Sequence, residues 1–443
     1  MNCIPETEFP GFDSSKLRSH RFFGGWFPGV VIAAIAFGGL QGCGVSSSES
    51  AESPDNRNLY RIEFVVTPDR SAAGAHVSMN LAQSRGQLRQ IRMQIDPQRI
   101  GSVHGDGQLQ IEGETVTWSP ARSGGSLRWF ASLRHLRDDD SYDAYIDSEW
   151  ALFRAEDIIP RATSRSLKGT SSDTWLRFEL PTGWTSVTPY FGQDHKYRVD
   201  NPARRFDLPG GWIALGKIGV RNDTISGVRV KVAGPEGQSV RRMDTLALLH
   251  WTMPEMLVIL PEFPQRLTVL SAGDPMWRGG LSGPKSLYIH SDRPLISENG
   301  TSTLLHEVFH VGFGPGAAQD ADWIIEGLAE YYSIQFLARS GTISATRYTR
   351  ALAMQAEWGE SVSKICAARS SGARTARSVS ILAALDNELR KHSKNGSSLD
   401  DVTRALASSD EKVSLGSLRD IATRLIGRRP DALAAKNLPG CPE

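Results

Sequence analysis

Residues 303–332 read TLLHEVFHVGFGPGAAQDADWIIEGLAEYY, two helical stretches separated by a break rich in glycine and proline. In the first stretch His306 and His310 are four residues apart, so one helix face presents both imidazoles to a single ion. Glu307 is turned about 100° around the helix from His306. It can therefore approach a water activated by the metal without itself being a ligand. Leu304, Leu305, Val308 and Phe309 suit a helix buried on its other sides, and Thr301, Ser302 or Thr303 can cap its start. Residues 312–316 (GFGPG) end the helix, because glycine and proline disrupt helical geometry.

The second stretch, residues 322–332 (DWIIEGLAEYY), begins a new helix. Fifteen residues separate His310 from Glu326, enough for the chain to reverse and bring Glu326 back as a third ligand. Two neutral imidazoles and one carboxylate, with a fourth position left for water, suit one catalytic Zn2+ ion. Glu330 lies one turn beyond Glu326. It is placed to accept the other ring N–H of a ligating histidine, or else it is a solvated surface carboxylate.

Outward from this core the pattern changes. Residues 60–66 (YRIEFVV), 75–81 (AHVSMNL), 109–118 (LQIEGETVTW) and 174–180 (TWLRFEL) alternate with period two. Such alternation predicts half-exposed antiparallel strands. Residues 58–232 are therefore expected to form a β-rich, sandwich-like domain, with Trp118, Trp129 and Trp175 serving its core or a ligand face. Residues 242–251 (RMDTLALLHW) have helical spacing, residues 266–271 (RLTVLS) and 286–290 (SLYIH) read as strands, and helices dominate from there to about residue 427. The catalytic domain is expected over 233–443. The fold class is α+β.

The 443 residues exceed one ordinary domain, and 50 basic against 49 acidic residues leave a net charge of +1 with no strongly charged block. Nucleic acid is not an expected partner. The first 43 residues read as an export signal: Lys16, Arg18 and Arg21 precede the apolar run Trp26–Leu40, which is short for a spanning helix. Residues 40–43 (LQGC) resemble a bacterial lipobox, with Gln41 a departure from its usual small residue. Cys43 would then carry lipid, and the serine-rich residues 44–57 would tether the body to a membrane, the outer membrane if the cell is Gram-negative. Of the four cysteines, Cys366 and Cys441 remain for the folded part. In an exported chain they are expected to form a disulfide, the alternative being two free thiols.

HEVFH followed by WIIEGLAEYY resembles the gluzincin metallopeptidases, especially the glycyl aminopeptidase-like family related to aminopeptidase N. Residues 385–391 (LDNELRK) and 398–406 (SLDDVTRAL) are similar to that family's helical C-terminal part. The resemblance implies a thermolysin-like, mainly helical catalytic domain behind a β domain, and hydrolysis of a peptide or protein substrate. Two departures stand out. Where the related enzymes carry an acidic residue that holds the substrate's amino group, residues 279–283 (GGLSG) place Ser282, which cannot supply the charge. Where they carry a tyrosine donating to the oxyanion, this chain has Thr375. Tyr348, Arg374 or Arg377 is then the substitute, or the donor is absent. These departures motivate an alternative: a zinc-binding lipoprotein whose catalytic function has decayed into binding or assembly.

Overall fold

The computed structural model describes residues 58–201 and 206–441. The signal segment, the tether and Cys43 lie outside the described residues. The β-rich region consists of three sheets. A seven-stranded sheet is built around strands Leu59–Asp69, Gly74–Ala82, Gly124–Ser132 and Ser171–Phe178. A four-stranded sheet and a five-stranded sheet accompany it. Their inward residues, including Ile62, Phe64, Val77, Met79, Trp118, Trp129 and Ile213, form one apolar core. Alternation along these strands sends every second side chain inward, which is why the period-two segments all became strands. One pairing departs from the antiparallel expectation: Leu59–Val66 runs parallel to Ser171–Phe178. Parallel partners require a long crossover, and here the chain builds much of the domain between them.

Strands Ile218–Ile225 and Val228–Pro235 form a hairpin that joins Arg266–Ala272, Ser286–His290 and Gly280–Gly283 in one five-stranded sheet. The second of these strands straddles the expected boundary. Its alternation resembles that of the β domain because one face of this sheet also meets the β domain, while the other packs on helices. On the helical side, Val230, Val232, Leu267, Val269, Leu287 and Ile289 meet Leu249, Met253, Leu304, Leu305, Val308 and Phe309. Fully burying each such side chain contributes about 1.5–3 kcal/mol. This apolar contact fixes the helix Thr303–Phe313 under the sheet.

Helices Asp322–Arg339, Ala345–Gly359, Ala373–His392, Leu399–Ala407 and Leu415–Ile426 complete the α+β fold. Cys366 and Cys441 form a disulfide across a sequence separation of 75. It ties the C-terminal tail to the loop before Ala373–His392, where Ile365 N–H also donates to the Pro439 carbonyl. Closing a loop of that length is worth about 4 kcal/mol on chain-entropy grounds. The Cys366→Ser/Cys441→Ser double variant should therefore unfold at markedly lower denaturant in an equilibrium titration. An unchanged midpoint would show that the bridge adds nothing to stability.

Candidate metal centre

The helix Thr303–Phe313 is capped by Ser302, whose hydroxyl oxygen accepts from the Leu305 N–H at 3.3 Å. The helix ends at Gly314, and the chain reverses before Asp322. Two backbone hydrogen bonds to Val413, one from Ala318 N–H and one to the Gly316 carbonyl, hold the reversal. The returning helix Asp322–Arg339 approaches Ala373–His392 closely at Gly327, where a Cβ would lie 2.5 Å from Ser378 Cβ. A larger residue there would push away the helix turn that carries Glu326.

This packing brings together His306, His310 and Glu326. The two Nε2 atoms are 3.2 Å apart. His306 Nε2 lies 3.3 Å from Glu326 Oε2, and His310 Nε2 lies 3.4 Å from Oε1 of the same carboxylate. A tetrahedral zinc with bonds of about 2.0–2.1 Å separates its ligand atoms by about 3.3–3.4 Å. The donor set and its spacing both fit that ion. Burial opposes a charged His306, yet Glu326 and Glu330 outweigh it and raise its pKa well above the usual value. Burial, with the charge on His306, holds His310 down to about 4.

Glu330 takes the orienting position. Its Oε2 accepts from His306 Nδ1 at 3.0 Å, leaving Nε2 for the metal. Its other oxygen, Oε1, accepts from Gln355 Nε2 at 3.3 Å. Gln355 was not anticipated. It comes from Ala345–Gly359, whose buried residues Ala351, Gln355 and Gly359 recur every four positions. A glutamine in an otherwise small-residue stripe was the available signal.

Glu307 is 8% exposed. Burial raises its pKa, with His306 and Ser282 opposing and Glu326 reinforcing the shift. Strand Gly280–Gly283 lies at the sheet edge directly over it: a Cβ on Gly280 would come within 2.8 Å of Glu307 Cγ. Ser282, in the same strand, turns its hydroxyl and backbone N–H to Glu307. Trp277 covers Gly279, where a Cβ would fall 1.9 Å from the indole. The guanidinium of Arg137, from the β domain, stacks 4.0 Å from the Trp277 ring and is close enough to Glu307 for the charges to interact. Arg137 had no signal in sequence, being 170 residues upstream of Glu307.

The expected oxyanion substitutes fare differently. Tyr348 is not at the metal: its hydroxyl accepts from Gln335 at 2.6 Å. Gln335 is nine residues past Glu326, about 13 Å along the helix. Arg374 spends its guanidinium on the carbonyls of Lys364 and Arg369. Thr375 pairs with Ser370. Arg377 alone keeps a buried Nε without a hydrogen-bond partner among the described residues.

Residues 302–398 match the family model of the M61 glycyl aminopeptidases. No curated protein sequence matches the chain significantly. Similar solved structures include an aminopeptidase N family protein from Idiomarina loihiensis, with a TM-score of 0.60 at 17% identity over 86% of this chain and 74% of that one. An M1 zinc metallopeptidase from Deinococcus radiodurans has a TM-score of 0.56 at 14% identity, covering 87% of this chain and 94% of that one. A mutant of that enzyme bound to a Tyr-Ser-Ala substrate has a TM-score of 0.55 at 14% identity, over 87% of this chain and 95% of that one. At these identities the structures establish the shared fold. The family match covers the helices that carry His306, His310 and Glu326 and supports a zinc metallopeptidase, in line with the gluzincin resemblance.

The Glu330 contact carries a prediction. Glu330→Ala should weaken zinc binding about 10–100-fold in a chelator competition. Gln355→Leu should weaken it in the same direction but less. Unchanged affinity in both variants would remove these residues from the metal's support.

Proposed function

We propose that this chain hydrolyses peptide bonds with one zinc ion held by His306, His310 and Glu326, and that it does so without requiring a free amino terminus. The observation that carries the reading is the convergence of three ligand atoms at tetrahedral spacing beside a buried Glu307. Zinc bound there supplies a Lewis acid that polarises a carbonyl and acidifies water. Glu307 takes the proton of the attacking water and passes it to the leaving amine, a role favoured by the upward shift that burial gives its carboxyl pKa. His306 is kept in the tautomer that offers Nε2 by Glu330. Gly280–Gly283, the edge strand of its sheet, is suited to an extended peptide, which can add to it as a further strand.

Two features disfavour anchoring a substrate by its ammonium group. Ser282 brings no negative charge to the edge strand, and Arg137 adds a positive one nearby. An internal or blocked peptide meets no such penalty. The full chain loaded with zinc should cleave an acetylated peptide at least as well as the same peptide with a free amino group, Tyr-Ser-Ala being a natural starting pair. Strong preference for the free amine would overturn the specificity. Glu307→Gln should keep zinc and lose turnover, and full activity in that variant would overturn the mechanism. Bound zinc with no cleavage of any peptide would instead favour the decayed binding or assembly protein, which Ser282 and the absence of Tyr348 from the site also motivate.

The same reading places the chain at the cell envelope, exported and anchored through lipid on Cys43. The LQGC sequence supports this. Among the described residues no helix is long and apolar enough to cross a membrane. Radiolabelled palmitate should be incorporated into the wild-type chain and not into Cys43→Ser. Equal labelling of both would exclude this anchor.

A further inference from the structure

The catalytic sheet has a polar face opposite the one that packs on the helices. Strand register places Asn222 beside Lys231 and Lys231 beside Thr268, and one step along it places Thr224 beside Arg229 and Arg229 beside Arg266. Side chains paired in this way point to the same side of a sheet. The opposite side of these strands, through Val230, Val232, Leu267 and Val269, packs toward the motif helix. The polar face therefore turns away from the zinc ligands. It lines a cavity of about 410 Å3, closed on one side by Phe191 from the β domain. The guanidinium carbons of Arg229 and Arg266 lie 4.4 and 3.8 Å from the centre of the Phe191 ring.

Three cations thus share one pocket, and their compensation is incomplete. Arg266 pairs with Asp200, but Lys285 draws on that same carboxylate. Asp223, at the rim, is engaged by His250 at 2.7 Å. Lys231 is the anomaly of this arrangement: it is half-buried, and among the described residues no carboxylate pairs with it. Burial and the neighbouring Arg266 both disfavour its charged form. A half-buried ammonium next to two guanidiniums is costly unless an anion completes the site.

We propose that this pocket binds a phosphate-bearing ligand, with Lys231, Arg229 and Arg266 around the phosphate and the Phe191 wall against its organic part. Forked guanidiniums and a point-charge ammonium are a recurrent combination for phosphate oxygens. Asn222, Thr224 and Thr268 add neutral donors on the same face. The volume exceeds what a bare phosphate fills, leaving room for an ester group. A soluble phosphate monoester and the phosphodiester headgroup of a membrane lipid share this chemistry.

The test is thermal unfolding of the full chain at constant ionic strength, titrated with inorganic phosphate or with glycerophosphoglycerol against chloride. A ligand that binds only the folded state raises Tm with the logarithm of its concentration. Wild-type protein should show that rise, and it should persist in His306→Ala, where zinc cannot be the phosphate's target. Lys231→Met should start at a higher Tm and lose the rise. Arg229→Gln, at a more exposed position, should fold normally and weaken binding about 10-fold. Tighter binding of glycerophosphoglycerol would identify a lipid headgroup, and tighter binding of inorganic phosphate a soluble monoester. No rise beyond chloride in wild type, or an equal rise in Lys231→Met, would overturn the site.

Discussion

The catalytic half depends on one contact between two helices, in which a single histidine is held from both ends. His306 meets Glu326 through Nε2 and Glu330 through Nδ1. Those carboxylates are four residues apart, one turn of the returning helix, so only one register of that helix satisfies both nitrogens. Buried ionisable groups are stable only when paired. The demand to pair His306, His310 and their carboxylates therefore fixes the helix spacing more tightly than apolar packing would. Gly327 against Ser378 and the Val413 contacts to the reversal make that spacing attainable.

The remaining architecture brings polar groups to this pair without disturbing it. The sheet supplies a glycine-lined edge that can lie directly on Glu307, and the β domain supplies Arg137 across Trp277. Gln355 reaches Glu330 from a third helix. The metal ligands thus come from adjacent segments, whereas the groups that tune them come from all over the chain. A compact chemical core with separately supplied surroundings is a physical basis for one fold serving different specificities.

Legibility in sequence followed the same division. His306, His310, Glu326 and Glu330 could be read because helical periodicity converts their spacing directly into proximity. The strands of the β domain were readable because alternation reports a half-buried face. The parallel pairing of Leu59–Val66 with Ser171–Phe178 was not, since pairing over 100 residues leaves no local trace. The pairing of Val228–Pro235 is hidden for a related reason: the strand alternates like its predecessors but hydrogen-bonds to a strand that follows it. Tyr348 is one of several oxyanion-donor candidates that residue type offers, and its hydroxyl accepts from Gln335 on the far part of the returning helix. Lys231 was equally opaque. Within GVRVKV it reads as an ordinary solvent-facing lysine, and only the tertiary approach of Phe191 encloses it.

The most direct test is anomalous diffraction at the zinc edge from crystals of the zinc-loaded chain. The account predicts one peak within about 2.0–2.2 Å of His306 Nε2, His310 Nε2 and a Glu326 oxygen, with the fourth position open to solvent. A peak elsewhere, or a fourth protein ligand closing the coordination shell, would contradict it.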